Sequence, residues 1–417
     1  MIVYRISQKK SRRLQYNLPE KLPKITILVP AYHEANVLPI CMEHIFKVDY
    51  PKKLIEVIVL VEMADLETIE SAKELKKKYS IRHLRIEESE LPQGKPRALN
   101  FGLLHAKGDI IGVIDAEDVI DKRLLKEVVS VINSGYDVVQ GVLDMINDRS
   151  GWKNMHLRGE YTHWYRSVVP ALVSAKLPVP LSGTTNFFKR EVILKMKGWD
   201  PYNLTEDFDI GMRLYNSHKK VGLVFDKVKE REVGSLFKGQ YSIAMMHSVT
   251  REESPISFLS WLKQRTRWQR GKIQTLKKMI RESKENGVQL RFNTIMVSFL
   301  PHAGPINLTG VLLSFYALAS SFSIPSWLSV IFIFNMIMVI YYCIAQAHGY
   351  YIAVHKNRHH RLRNAIIVGV TTPIYWIMLW IADIRTMKHE YVNKKVFWEH
   401  TAHSGVHMKY TKTRKIG

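Results

Sequence analysis

Charge stops abruptly after Arg291. Three stretches beyond it, residues 292–323, 327–347 and 364–382, contain no Asp, Glu, Lys or Arg. A helix needs about 20 residues, at about 1.5 Å each, to cross a bilayer's hydrocarbon core. A soluble core helix rarely stays uncharged that long, so the pattern predicts membrane association. Pro301-His302-Ala303-Gly304-Pro305 interrupts the first stretch. Proline breaks a helix interior, so this stretch is expected to divide into an interfacial helix and a span.

The charge that remains is strongly basic, +23 overall. Its placement argues against nucleic acid. Basic residues crowd beside the apolar stretches, at 263–291, 356–363 and 385–415, as they do on the cytoplasmic flanks of membrane helices. Cys41 and Cys343 give no disulfide framework and fit a reducing compartment. The N-terminus turns basic without an apolar core long enough for a signal peptide. The catalytic half is therefore expected in the cytoplasm, on the inner face of the cell membrane.

Before residue 255 the chain alternates. Residues 24–30, 56–61, 82–86 and 109–114 read as strands, and 36–46, 66–79 and 97–105 as helices. Such alternation implies an α/β domain with a parallel sheet covered on both sides. Ligands then sit beyond the carboxyl ends of the strands. Three of those ends are polar: Tyr32-His33-Glu34, Glu62-Met63-Ala64-Asp65 and Asp115-Ala116-Glu117-Asp118. The expected organisation is a basic segment (1–23), a catalytic domain (24–255), amphipathic helices (256–291), a membrane region (292–383) and a basic tail (384–417).

Three constellations carry chemistry. In an extended segment Asp115 and Glu117 would point the same way and share a hard cation, Mg²⁺ or Mn²⁺. An acid-rich helix start would look the same. Thr205-Glu206-Asp207 precedes a helical run. Thr205 can cap that helix, and Asp207 can serve as a general base toward an acceptor hydroxyl. Gln264-Arg265-Thr266-Arg267-Trp268 lies on an amphipathic segment whose Phe258, Leu259, Trp261 and Leu262 suit a bilayer surface. Its arginines can bind a diphosphate, and Trp268 can stack on a sugar.

Together these residues resemble the family-two membrane glycosyltransferases, the cellulose-, chitin- and hyaluronan-synthase-like enzymes with a GT-A (Rossmann-like) nucleotide-sugar domain. Ile27-Leu28-Val29-Pro30-Ala31-Tyr32-His33-Glu34 is similar to the family's opening strand, and Gly94-Lys95-Pro96-Arg97-Ala98-Leu99-Asn100 to its nucleotide-side segment. The resemblance assigns Pro30, Tyr32, Glu34, Glu62, Asp65, Lys95, Asp115, Gln264, Arg265 and Arg267 to the nucleotide sugar, with Glu62 and Asp65 at uracil and ribose. It assigns Asp115 and Glu117 to the metal, where Asp is usual at the second position. Pro180 to Asn186 resembles the acceptor segment, which implies Gly183, Thr184, Asn186, Glu206 and Trp268 as acceptor contacts and Asp207 as the base. Trp398-Glu399-His400-Thr401 is similar to a gating motif, implying Trp398 and Thr401 over the site.

The implied activity is inverting transfer from a UDP-sugar, glucose by default, to a saccharide or lipid-linked acceptor with a β-linkage. Transfer to a polyprenyl or dolichol phosphate competes with it, as does a non-enzymatic nucleotide-sugar sensor or transporter. Polymer-extruding relatives carry membrane helices ahead of the catalytic domain. Their absence here implies a partner subunit or homo-oligomer for any translocation channel. The basic tail and its Trp398 belong with the catalytic side, which requires an even number of crossings. Either the proline break or Pro373 then keeps one apolar stretch from crossing.

Overall fold

The structure, a computed structural model, describes residues 16–87, 90–147, 151–175, 177–216, 241–282, 295–298, 303–319, 326–354 and 360–392. The first half follows the expected alternation: β1 (Ile25–Ala31), α1 (Leu38–Ile45), β2 (Ile55–Glu62), α2 (Leu66–Lys78), β3 (Ile81–Ile86), α3 (Lys95–His105) and β4 (Ile110–Val113). β1 pairs in parallel with β2 and β4, and β2 with β3. Successive residues of β1 serve opposite cores. Leu28 packs under α3 with Leu60, Leu99 and Leu103, whereas Ile27 and Val29 pack with Leu38 and Met42 of α1. Each such side chain, fully buried, contributes about 1.5–3 kcal/mol.

The second half departs from a purely parallel sheet. It runs α4 (Leu124–Asn133), β5 (Val138–Met145), α5 (Trp152–His163), a π-helical turn (Trp164–Val168), α6 (Val169–Ser174), β6 (Asn186–Lys189), α7 (Arg190–Lys195), α8 (Glu206–Asn216) and β7 (Ile243–Glu252). The sheet order is β3-β2-β1-β4-β6-β5-β7. β6 is antiparallel to both β4 and β5. It starts beside the carboxyl end of β4, with Asn186 opposite Val113, so the loop before β6 lies at the ligand edge. A strand–helix rhythm predicts crossovers and gives no warning of this reversal.

Beyond the sheet lie α9 (Phe258–Glu282), α10 (Ala303–Ala319), α11 (Ser326–Ala353) and α12 (Arg361–Tyr391). Among the described residues, two segments, Ser329–Ala353 and Arg361–Tyr391, are long and apolar enough to cross a membrane. α10 begins at Ala303, and Pro305 falls in its first turn, where no intrahelical N–H is needed. Pro373 lies inside α12 without ending it. Trp261 and Leu262 of α9 do not face a bilayer surface as expected. They are buried against Tyr375, Trp376 and Leu379 of α12, while Phe258 and Leu259 stay exposed.

Candidate active site

The carboxyl ends of β1, β2 and β4, the loop before β6, the start of α8 and one face of α9 enclose a cavity of about 680 Å³. On the strand side it is lined by Pro30, Tyr32, Glu34, Glu62, Lys95, Asp115 and Glu117. Gly183, Thr184, Glu206, Asp207, Gln264, Arg265, Arg267 and Trp268 line the other walls. Residues 115 and 207 thus share one chamber although separate strands and helices deliver them.

Asp115 and Glu117 reach the cavity through a turn, in which the Asp118 N–H donates to the Asp115 carbonyl (3.1 Å). Pleat alternation therefore does not explain their shared direction. Asp118 fixes the turn: its carboxylate accepts the Asp115 N–H (2.9 Å) and the Thr184 hydroxyl. Burial, together with Asp115 and Glu117 close by, raises the Asp118 carboxyl far above the usual range. The Lys95 ammonium donates to Asp115 and to the Gly183 carbonyl (2.7 Å). Burial works against that charge, but Asp115 and Glu206 outweigh it and hold the lysine pKa above its ordinary value.

No group of three or more His, Cys, Asp or Glu able to hold a metal occurs among the described residues. Two carboxylates fit a cation of the Mg²⁺ type nonetheless. Such ions take one or two carboxylates and complete their shell with water and substrate phosphate. The Lys95 ammonium already sits on Asp115 as a cation would.

Asp207 opens α8 beside Glu206. Its Oδ1 accepts the Phe208 N–H (2.8 Å). The Thr205 hydroxyl just before α8 donates to Asn203 Oδ1 (3.3 Å). Burial raises the carboxyl pKa of Asp207, against the pull of Lys95 and Arg267. Burial and then Asp207 push Glu206 up to about 7. Gly183 stands between donor side and base: a methyl there would lie 3.4 Å from Lys95 Nζ and 3.5 Å from Asp207 Oδ2. Gly271 lets α9 press on this loop, because a methyl at that position would come 2.2 Å from Thr205 Oγ1.

On α9, Gln264 Oε1 and Arg267 Nε are buried and have no hydrogen-bond partner among the described residues. Arg265 Nε is unpaired in the same way, but the two terminal nitrogens of that guanidinium are committed. It meets the Glu160 carboxylate through two bonds, 2.7 and 2.6 Å, and contacts the Tyr375 hydroxyl (3.2 Å). Burial opposes ionisation of Glu160, but Arg265 outweighs it and lowers the carboxyl pKa. This corrects the expectation that both arginines are free for a diphosphate. Arg265 also lies 4.9 Å over the Trp268 ring, holding the platform in place.

Two further expectations change. Asp65 does not line the cavity; it is buried, caps α2 through Thr68 N (3.2 Å) and accepts the His33 N–H (2.5 Å). That second bond secures the left-handed turn at His33 (φ 59°) ending β1. Asn186 is likewise buried in β6 away from the cavity, donating to the Ser182 carbonyl (2.6 Å). Glu62 reaches the cavity but pairs with Arg97. Trp398 and Thr401 lie outside the described residues. Glu160, Lys272 and Asp118 line or brace the site without having been singled out. Asp118 alone carried a local signal, as the last acid of its motif.

A mixed sheet with acids at its carboxyl edge and a basic helix closing the chamber defines an enzyme of the GT-A nucleotide-sugar class. The glycosyltransferase-like family 2 model matches residues 23–271, and the chain belongs to that family. It is similar to the probable glycosyltransferase YdaM of Bacillus subtilis, at 25% identity over 60% of this chain and 56% of that protein. It is similar too to a beta-monoglucosyldiacylglycerol synthase of Synechocystis, at 26% identity over 50% of this chain and 44% of that one. The chain thus spans about half the length of these curated relatives. A solved structure, the mannosyltransferase PcManGT of Pyrobaculum calidifontis with GDP-Man and Mn²⁺, covers 94% of this chain and 95% of its own. At 18% identity and a TM-score of 0.56 it shows the shared fold.

Proposed function

We propose that the chain is an inverting hexosyltransferase that moves a sugar from a UDP-sugar to a saccharide or glycolipid hydroxyl at the membrane, forming a β-linkage. The observation that carries this reading is the single chamber. Asp207, the Asp115–Glu117 turn, Gln264 and Arg267 all line it. Asp207 takes the proton of the acceptor hydroxyl. The freed oxygen attacks the anomeric carbon as the bond to the nucleotide diphosphate breaks, which inverts that carbon. Arg267 and Lys95 offer positive charge to the departing diphosphate. A Mg²⁺ or Mn²⁺ ion held by Asp115 and Glu117 would supply further charge neutralisation there. Trp268 and Glu206 orient the acceptor.

The acceptor arrives from the bilayer side. Tyr342, Trp376 and Leu379 of α11 and α12 form an apolar wall of the same chamber, which suits an acceptor anchored in lipid. The catalytic domain and the tail lie on the cytoplasmic face of the cell membrane. A lone cysteine at Ser404 should then resist impermeant thiol reagents on intact cells. The function is tested by offering purified protein in lipid nanodiscs radiolabelled UDP-glucose, UDP-N-acetylglucosamine and GDP-mannose. Label should enter lipid extract or insoluble saccharide from a UDP-sugar. Transfer only to a polyprenyl phosphate, or none from any donor that binds, would overturn the reading.

A further inference from the structure

The chamber changes chemical character along its length. Its strand end is charged, with Glu34, Glu62, Lys95, Asp115 and Glu117 on the wall. The next stretch of wall is aromatic. The Tyr161 ring stands 6.3 Å from Trp268 and 5.9 Å from Tyr165, and Trp164 lines the cavity with them. Beyond these rings the wall is aliphatic: Val168, Ala171, Leu172, Ala175 and Leu177. One continuous helical segment supplies most of this gradient, from α5 through the π-helical turn into α6. From Tyr161 to Ala175 it runs about 20 Å at about 1.5 Å per residue.

The facing wall belongs to α11. That helix crosses α5 backbone to backbone, since a methyl at Gly349 would lie 2.5 Å from the Gly159 carbonyl oxygen. Beside this crossing Tyr342 and Gln346 of α11 line the chamber together with Glu160 and Tyr161. Tyr341 lines it too and is 54% exposed, on the same helix face as the exposed Ile337, Ile340 and Ile344. Across from it, Ala171 and Ala175 are also exposed. The aliphatic arm thus has a mouth, next to a helix face apolar enough for lipid. A saccharide leaving by this route would lay its hydroxyls against Val168, Ala171 and Leu172. Those side chains offer no hydrogen bond to replace the lost water, a costly exchange. A hydrocarbon chain loses no such bond and gains from burial.

We propose that this arm holds a hydrocarbon chain of the acceptor. The accepting hydroxyl then reaches Asp207 past the aromatic rings, while the tail lies along α6 and leaves toward the bilayer between α6 and α11. This rests on the glycosyltransferase reading above and narrows the acceptor to a lipid whose chain is joined close to the reacting hydroxyl.

The first measurement needs no turnover. The full chain in nanodiscs would be photolabelled with dodecyl β-glucoside carrying a diazirine at its chain end, below micellar concentration, and the adducts mapped by peptide mass spectrometry. Adducts are expected on Val168, Leu172 or Leu177, suppressed by unlabelled dodecyl β-glucoside. Adducts confined to the outward face of α11, or insensitive to the competitor, would overturn the proposal. A protein that transfers sugar yet leaves α6 unlabelled fails this proposal alone. Competed labelling of α6 without transfer from any donor upholds the hydrocarbon site and fails the transferase reading instead. The second measurement compares hexyl and dodecyl β-glucosides as acceptors. In the wild type kcat/KM should rise about fourfold for each methylene that enters the arm, about 0.8 kcal/mol each. Ala171→Trp fills the arm, and with its thermal midpoint unchanged it should cut the dodecyl-to-hexyl ratio by about tenfold or more, the worth of about two methylenes. Partition of each chain into the bilayer is the same for both proteins, so the loss reports the arm itself. An unchanged ratio would overturn the proposal.

Discussion

The donor side and the membrane side of the chamber are built by opposite means. On the donor side, Tyr32, Glu62 and Asp115 sit at the ends of adjacent parallel strands, and ladder bonds fix the spacing between them. On the membrane side, Arg265, Trp268 and Trp376 sit on helices that meet through side chains alone. Glu160 of α5, Arg265 of α9 and Tyr375 of α12 form one largely buried polar cluster, with Glu160 partly exposed, joining segments more than a hundred residues apart. The donor edge is thus rigid by backbone. The membrane wall stands or shifts with a few charged contacts, so its mutations should move stability and acceptor use together, whereas donor-edge mutations should cost chemistry and leave the fold.

The largest effect is expected on the donor side. Asp115→Ala should reduce turnover to background while the protein stays folded, and a chelator should do the same to the wild type. Full turnover in excess chelator would break the metal assignment. Asp207→Asn comes next, with a fall of about 10²- to 10⁴-fold in turnover and nearly unchanged nucleotide affinity. Isothermal titration with UDP beside a turnover assay separates these outcomes. If affinity collapses and turnover survives, Asp207 is a binding residue.

Glu160→Gln sharpens the comparison from the other side. It leaves the Arg265 guanidinium in a buried position without its anion. Because the Glu160 side chain keeps 27% exposure, the loss should be about 1–3 kcal/mol, below that of a fully buried pair. A lowered thermal midpoint with acceptor KM raised more than donor KM is the expected signature. No change in midpoint would mean that the membrane wall does not rest on this pair. Trp268→Ala should weaken acceptor use while hydrolysis of donor by water persists, and equal loss of both would contradict a stacking role.

The smallest effect concerns pH. Burial raises both carboxyls of the Glu206–Asp207 pair, Glu206 to about 7. A base must be ionised, so the burial-raised carboxyl of Asp207 should place the acid-side fall in turnover above the ordinary aspartate range. A raised carboxyl pKa binds its proton more tightly in the folded state. The same pair therefore favours folding at low pH and loses that contribution as pH rises through the folded value. An acid-side fall only at the ordinary aspartate value, about 4, would exclude a burial-raised carboxyl as the titrating base.

The same contrast explains what can be read from sequence. β1, β2 and β4 are short apolar runs that end in polar residues, so local pattern suffices to place Tyr32, Glu62 and Asp115 at one edge, whereas Lys95 rests on the family resemblance. Asp65 and Asn186 mislead because a buried capping carboxylate and a strand-start amide carry the same residue types as a ligand set. The reversal of β6 escapes because four residues carry no direction. Arg265 looks identical to Arg267 until Glu160, far away in sequence, takes one of them. Nothing around Glu160 marks it, since its segment has no turn or motif of its own.

The central claim is that one chamber inverts an anomeric carbon with Asp207 as base. It is tested most directly by the stereochemistry of the product. Purified chain in nanodiscs would be given a UDP-sugar enriched in ¹³C at the anomeric carbon, with Mg²⁺ or Mn²⁺ and lipid acceptor. The one-bond carbon–hydrogen coupling of the product then reports its configuration. The account predicts a β-linked product, formed far more slowly by Asp207→Asn. An α-linked product, or β-linked product made at the wild-type rate by that variant, would contradict it.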